Sequence, residues 1–268
     1  LLMATVIEYL RNESLHELER TFKSQIIVKK HPKYQNLVLL KYKQSSGNHF
    51  KDQIMREVRG LILDQQNNWK AIAYPYDKFF NYSEKFSPST DTFDWSTARV
   101  TEKADGTLMC LYFYKNEWRV STTGQADAGR YQTTGVSFYS MFWDLWNKLD
   151  LKLPSADDQS KCFMFELMTE KNRIIVRMED AGHDEILWLH GVRDMNTLKE
   201  LLPHQFSEKY SWPIVKEYQP KDCLTGKYAE GNWSLDKVIR YVSTLSPTVS
   251  EGVVVCDKNF TRIKVKSP

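Results

Sequence analysis

Short stretches of β-branched, aromatic and aliphatic residues, each closed by a turn, recur along this chain and set its fold class. Leu37–Tyr42 reads as a strand. Residues 58–63, a turn through 65–68 and a run at 69–73 read as a hairpin. A clearer hairpin follows at 108–114 and 118–122, joined by Lys115, Asn116 and Glu117. Residues 163–167, 174–176, 186–190, 252–256 and 263–266 complete the strand set. Strand–helix–strand alternation is rare. The pattern therefore predicts an α+β fold, with antiparallel sheets flanked by helices rather than a doubly wound sheet.

Helical spacing appears in fewer places. Val6, Ile7 and Leu10, then Leu15, Leu18 and Phe22, predict a helical N-terminal segment, with Ser14 and Glu17 as a capping box. Residues 134–149 carry the same spacing through Val136, Tyr139, Phe142, Trp143 and Trp146. Residues 196–202 and 234–245 read as helices capped by Asn196 and Ser234. Residues 153–160 are polar and read as a loop.

A chain of 268 residues can bury a sizeable core as a single domain. Its net charge of +3 is too small to imply a polyanionic partner by itself, so any nucleic-acid surface must gather its basic residues on one face. No apolar run approaches the roughly 20 residues of a membrane helix, and no signal peptide is visible. These features predict a cytoplasmic or nuclear protein with no membrane partner. Cys110, Cys162, Cys223 and Cys256 show no zinc spacing and read as reduced, mostly buried thiols. His49, His183, His190 and His204 show no metal spacing either, and structural or solvent-facing roles are expected for them.

The string Thr101-Glu102-Lys103-Ala104-Asp105-Gly106-Thr107 carries the chemistry. Lys103 and Asp105 are two apart on an extended segment and so face one side, and Gly106 permits a tight turn or close ligand approach. Alone, the string also reads as an Asp-Gly turn with two solvated charges. It is not alone. Arg56-Glu57-Val58-Arg59-Gly60-Leu61-Ile62-Leu63 and Tyr76-Asp77-Lys78-Phe79-Phe80-Asn81 precede it. Phe163-Met164-Phe165-Glu166-Leu167, Asn172-Arg173-Ile174-Ile175-Val176, Ser250-Glu251-Gly252-Val253-Val254-Val255 and Arg262-Ile263-Lys264-Val265-Lys266 follow it.

Together these strings resemble the covalent nucleotidyltransferase superfamily of polynucleotide ligases and RNA capping enzymes. Within it the chain is most similar to phage-type RNA ligases of the tRNA-repair branch, whose K-x-D-G nucleophile motif the lysine string matches. Arg59-Gly60 and Lys78-Phe79-Phe80-Asn81 look like features of the RNA-repair branch. The resemblance spans residues 56–266. It implies a nucleotidyltransferase or ATP-grasp-like ligase fold with a nucleotide cleft, residues 1–268 forming one such domain and 1–53 a variable N-terminal part. The C-terminal RNA-specificity domain usual in the family is expected to be absent from this chain, and further domains are expected in a longer polypeptide.

The resemblance implies ATP as substrate, with magnesium or manganese as the divalent ion. Lys103 is the expected nucleophile, with Lys264, Lys266 and Arg59 as catalytic cations. Glu102, Asp105, Gly106, Lys78, Phe80, Glu166, Glu251, Lys264 and Lys266 are expected to contact the nucleotide, Glu166 through its ribose, and Asp105 and Glu251 to attend the metal. Phe79, Phe80 and Phe165 are candidates to stack on adenine. These residue types suit the chemistry. A lysine amine attacks only when neutral, and a free one titrates near 10.4, so neighbouring cations or desolvation must favour the neutral form. Phosphoryl transfer spreads negative charge over oxygens, which cations offset. The expected partners are RNA 5′-phosphate and 3′-hydroxyl ends, tRNA among them. An mRNA guanylyltransferase, a DNA ligase and a non-catalytic nucleotide- or RNA-binding domain are the alternatives.

Overall fold

The computed structural model describes residues 4–44, 48–169 and 185–268. From the N-terminus run helices α1 (Thr5–Asn12) and α2 (Leu15–Thr21), then strands β1 (Ile26–Lys30) and β2 (Leu37–Tyr42). After α3 (Gln53–Glu57) come β3 (Arg59–Asp64), β4 (Lys70–Ala73), β5 (Phe80–Asn81) and β6 (Arg99–Glu102). The middle holds β7 (Thr107–Tyr114), β8 (Glu117–Thr122), α4 (Phe138–Lys148), β9 (Lys161–Met168), β10 (Ile186–Asp194) and β11 (Glu200–Leu201). The chain continues through α5 (His204–Tyr210), β12 (Glu217–Tyr218), α6 (Pro220–Cys223) and α7 (Leu235–Ser243) to β13 (Gly252–Cys256) and β14 (Arg262–Lys266). The mixture is α+β, and every strand pair whose register is resolved is antiparallel except β5 with β14.

Two compact units divide the chain. The first comprises Leu1–Lys78, Thr107–Leu167 and Leu189–Pro213; the second comprises Phe79–Gly106, Met168–Trp188 and Ile214–Pro268.

The first unit carries two sheets, in the orders β1-β2-β3-β4 and β11-β10-β9-β7-β8. Its core is aromatic: Tyr112, Phe142, Phe163 and Phe165 are fully buried, and Phe165 meets Phe142, Trp146 and Trp212 edge-on. The β7–β8 hairpin turns through Lys115 and Asn116, both with positive φ (50° and 59°), the pairing that matches the twist of the flanking strands. Helix α1 is anchored by Glu57, whose carboxylate accepts from Thr5 N (3.1 Å) and Val6 N (2.8 Å). Those N–H groups have no partner inside the helix, and the negative charge suits its N-terminus. The Ser14 hydroxyl accepts from Glu17 N and caps α2 as its sequence predicts. Cys110 and Cys162 are buried free thiols, and the Cys162 thiol donates to Tyr74 O.

Two differences from the sequence pattern are informative. Strand β1 lacks clean alternation and is recognisable only from its pairing with β2. Residues 196–202 are not a helix. Asp194 Oδ1 captures the N–H groups of Asn196 (2.8 Å) and Thr197 (3.1 Å), Leu198 turns with φ of 62°, and Glu200–Leu201 returns to pair with β10. The side chain thus offered the backbone a turn in place of a helix. The strand expected at 174–176 lies outside the described residues.

The second unit carries one sheet, ordered β12-β6-β13-β14-β5. One face is apolar: Val100, Val253, Val255, Ile263 and Val265 pack with Val238 and Val242 of α7, and with Trp233 and Phe93. Ser234 caps α7 by accepting from Lys237 N, as expected. This face explains why the strands alternate as they do. Each buried valine or isoleucine is followed by a residue that must point the other way.

Candidate active site

The other face of the second unit's sheet gathers two of the expected cations, Lys264 and Lys266. Thr101 pairs with Val254 and Val254 with Lys264. Arg99 pairs with Cys256 and Cys256 with Arg262, and Gly252 pairs with Lys266. Paired residues share a face, so Arg99, Arg262, Lys264 and Lys266 stand together, opposite the valine core. Lys103 follows the end of β6, and its N–H continues the ladder by donating to Gly252 O at 3.0 Å. The nucleophile candidate is therefore fixed to β13 by a main-chain bond, beside the strand that bears Lys264 and Lys266.

Its side chain is fixed as well. Lys103 Nζ lies 2.5 Å from Glu251 Oε1, with the two side chains 21% and 13% exposed. The main-chain O of Glu251 accepts from Ser267 N (3.0 Å), which ties the backbone of this residue to the end of β14. Gly252 has φ of 136°, and a Cβ there would lie 2.3 Å from Val265 O and 2.8 Å from Lys266 Cα. Only glycine permits β13 and β14 to approach this closely beside the Lys103–Glu251 pair.

The remaining predicted residues of this unit separate by face. Glu102 pairs with Val253 and so belongs to the packed face, opposite Lys103. There its charge, after burial, helps to raise the Tyr218 hydroxyl above the ordinary phenol range. Phe80 pairs with Ile263 and is 4% exposed. Its neighbour Phe79 lies with the cations, its ring 5.3 Å from Lys264 Nζ and 5.6 Å from Arg262 Cζ. Of the two phenylalanines, Phe79 is the aromatic on the Lys103 face. Asp105 is 5% exposed, and Gly106 follows it at a bend before β7.

Asp105 and Glu251, the two residues expected to attend the metal, both offer carboxylate oxygens, the donor type preferred by magnesium or manganese. Glu251 already faces a cationic ammonium. No group of three or more metal-ligating side chains occurs among the described residues. Two carboxylates therefore fit a hard ion that keeps several waters rather than a protein-enclosed one.

The other predicted residues belong to the first unit. Arg59 begins β3 and pairs with Lys41. Its Nη1 is buried and has no hydrogen-bond partner among the described residues. Gly60 follows with φ of 86°, and a Cβ there would lie 2.9 Å from Thr123 Cα. Lys78 is held by its N–H, which donates to Arg56 O at 2.7 Å, and its ammonium lies 5.5 Å from the centre of the Phe50 ring. The segment leading to it is pinned by buried Arg193, which donates to Tyr74 O (3.0 Å), Pro75 O (2.9 Å) and Leu198 O (2.7 Å). Glu166 sits on β9 between Phe165 and Leu167, both fully buried. Alternation turns its carboxylate away from the aromatic core, and the same packing makes Phe165 a core residue.

Sequence spacing gave no sign of two side chains beside Glu166. His190 Nε2 lies 3.3 Å from Glu166 Oε2, and His190 Nδ1 lies 2.7 Å from the Tyr76 hydroxyl. The available signal was weak: a polar histidine inside the apolar run of β10, next to a glycine.

Comparison with known proteins identifies the family. A family model described as RNA ligase matches residues 57–268. An RNA ligase of Rhodothermus phage RM378 is 28% identical over 174 residues, covering 53% of this chain and 38% of that protein. A protein of Autographa californica nuclear polyhedrosis virus, provisionally named a bifunctional polynucleotide kinase/RNA ligase, is 26% identical over 233 residues, covering 80% of this chain and 30% of that protein. The chain thus spans about a third of the length of these relatives. An archaeal ATP-dependent RNA ligase shares the fold, with a TM-score of 0.62 at 14% identity, over 99% of this chain and 64% of that one. With most of its length matched by the family model, the chain belongs to the RNA ligase family.

Proposed function

We propose that the protein is an ATP-dependent RNA ligase that works through a lysyl-AMP intermediate on Lys103. The observation that carries this reading is the Lys103–Glu251 pair on a sheet face shared with Lys264 and Lys266. In the first step the Lys103 amine attacks the α-phosphorus of ATP. An N–P bond forms, the bond to the β-phosphate oxygen breaks, and pyrophosphate leaves. The ammonium must shed a proton before it attacks, and Glu251 Oε1, 2.5 Å away, is an acceptor in contact with it. Lys264 and Lys266 offset the charge that develops on the phosphoryl oxygens. The family resemblance extends this reading to Arg59 and Lys78 as phosphate contacts and to Glu166 as a contact to the nucleoside.

Asp105 and Glu251 would hold the divalent ion, magnesium or manganese, which when bound adds positive charge at the phosphate oxygens. AMP then passes to an RNA 5′-phosphate, giving a 5′–5′ pyrophosphate linkage. Attack by a 3′-hydroxyl seals the strand and releases AMP. The activation is chemically necessary because AMP is a much better leaving group than an oxide ion. Broken RNA, tRNA included, is the proposed substrate class.

Incubation with α-labelled ATP and a divalent ion tests the first step. Wild type is expected to take up label and to pass it to 5′-phosphorylated RNA, and Lys103→Ala to take up none. Equal labelling of the two would refute the nucleophile assignment. Labelling by GTP in preference to ATP would point to a guanylyltransferase. Sealing of nicked DNA in preference to broken RNA would point to a DNA ligase.

A further inference from the structure

We propose that His190, locked in place by Tyr76, is a positioning residue that aims the Glu166 carboxylate at the nucleotide. The inference rests on the proposed function, in which Glu166 touches the nucleoside.

Three side chains from three segments form a line. Tyr76 Oη is 2.7 Å from His190 Nδ1. The two rings stack, with centroids 5.4 Å apart and planes 24° from parallel. On the far side of the imidazole, Nε2 is 3.3 Å from Glu166 Oε2. Tyr76 is 4% exposed, and the His190 and Glu166 side chains are 18% and 13% exposed. His190 and Glu166 lie on β10 and β9, neighbouring strands of one sheet.

The proton arrangement follows from the neighbours. If the Tyr76 hydroxyl donates to Nδ1, the neutral imidazole carries its hydrogen on Nε2, facing the carboxylate. If Nδ1–H donates to the phenol oxygen instead, neutral Nε2 would turn a lone pair toward a negative charge, which only protonation relieves. Both acceptable states put an N–H toward Glu166. Outer partners fix the orientation of liganding side chains in the same way elsewhere. At 3.3 Å, and without good hydrogen-bond alignment, the contact constrains Glu166 and leaves its remaining lone pairs for a ligand.

The surroundings are built to keep this line. A Cβ on Gly191 would lie 1.9 Å from Tyr76 Oη and 2.7 Å from Tyr76 Cζ. The residue after His190 must therefore lack a side chain for the tyrosine to reach the imidazole. Arg193, two residues further along β10, donates to Tyr74 O and Pro75 O, in the two residues that lead into Tyr76. The same strand thus supplies the histidine, the space for the tyrosine and the clamp on the tyrosine's own segment.

The test measures single-turnover lysine adenylation against ATP concentration for the full chain, with thermal unfolding as a check on folding. His190→Ala is expected to raise the half-saturating ATP concentration by roughly ten-fold or more, with a much smaller change in the limiting rate. Tyr76→Phe, which keeps the ring, should give a smaller shift in the same direction, and His190→Gln should restore part of the loss. The Glu166→Ala/His190→Ala double variant should bind ATP no worse than Glu166→Ala alone. Independent, multiplying effects in the double variant would overturn the proposal, as would wild-type ATP dependence in both His190→Ala and Tyr76→Phe, and either result would leave lysine adenylation by ATP standing. A wild-type protein that takes no label would overturn the functional reading and the positioning role with it.

Discussion

The two units hold their charged residues by different physical means. In the second, strand alternation does the work: Ile263 and Val265 enter the core while Arg262, Lys264 and Lys266 stand on the other face. The face on which these cations stand is set by the valines and isoleucine packed beneath the sheet. In the first unit, Glu166 and the Tyr74–Lys78 segment are held by named side chains: His190 and Tyr76 for the first, Arg193 for the second. In networks of that kind the members act together rather than as separate pairs. One arrangement sets its side-chain directions through the sheet core, and the other concentrates its precision in a few residues that need not touch substrate.

The sharpest test of that contrast uses two adjacent residues. Lys264→Ala is expected to slow lysine adenylation about 10²–10³-fold, the range for losing one preorganised charge at a reacting phosphate or carbonyl, with little change in stability. Ile263→Ala removes a fully buried side chain and is expected to lower folding stability by about 2–5 kcal/mol, while the folded fraction keeps a near-normal rate. Denaturant unfolding and single-turnover labelling separate the two. A large rate loss in folded Ile263→Ala would show that alternation does not divide core from chemistry here.

Gly252→Ala attacks the point where alternation and site meet. With φ of 136° and a Cβ forced to 2.3 Å from Val265 O, it is expected to cost about 2–4 kcal/mol through backbone strain and overpacking. It should also misplace Glu251 and so lower adenylation. Thermal unfolding and labelling measure both, and a variant with wild-type behaviour would sever the link between strand approach and site geometry.

A smaller effect distinguishes the first unit's polar interior. His31 is buried, and its Nδ1 accepts from Lys33 N (3.0 Å) and Tyr34 N (3.2 Å). Burial, the largest cause, pushes its pKa down to about 4. An unfolded histidine titrates near 6.5, so between about 6.5 and 4 the unfolded chain binds the proton and the folded one does not. Stability should therefore fall as pH drops through that window and level off below it. The slope is at most about 1.4 kcal/mol per pH unit, and the total about 2 kcal/mol after solvent screening. His31→Gln should flatten this part of the curve, as read by denaturant unfolding at successive pH values.

The same contrast explains what the amino-acid sequence reveals. The second unit's strands were legible because Val253–Val255 is a short apolar run and Ile263–Lys266 alternates, and from that alternation the shared face of Lys264 and Lys266 follows. Glu102 and Phe80, expected from the resemblance to contact the nucleotide, pair on the packed face, one residue out of phase with Lys103 and Phe79. The first unit was less legible where long-range side-chain contacts decide. No local pattern pairs residue 76 with residue 190. Asp194 replaced the expected helix at 196–202 by capturing two backbone N–H groups, a local competition that propensity does not reveal.

The central claim is that the amine held against Glu251 takes AMP from ATP. Mass spectrometry of the protein after incubation with ATP and magnesium tests this most directly. The account predicts a mass increase of one AMP, carried by the peptide that contains Lys103 and lost on addition of pyrophosphate. An unmodified Lys103 peptide in protein that seals RNA, or an AMP adduct on another residue, would contradict it.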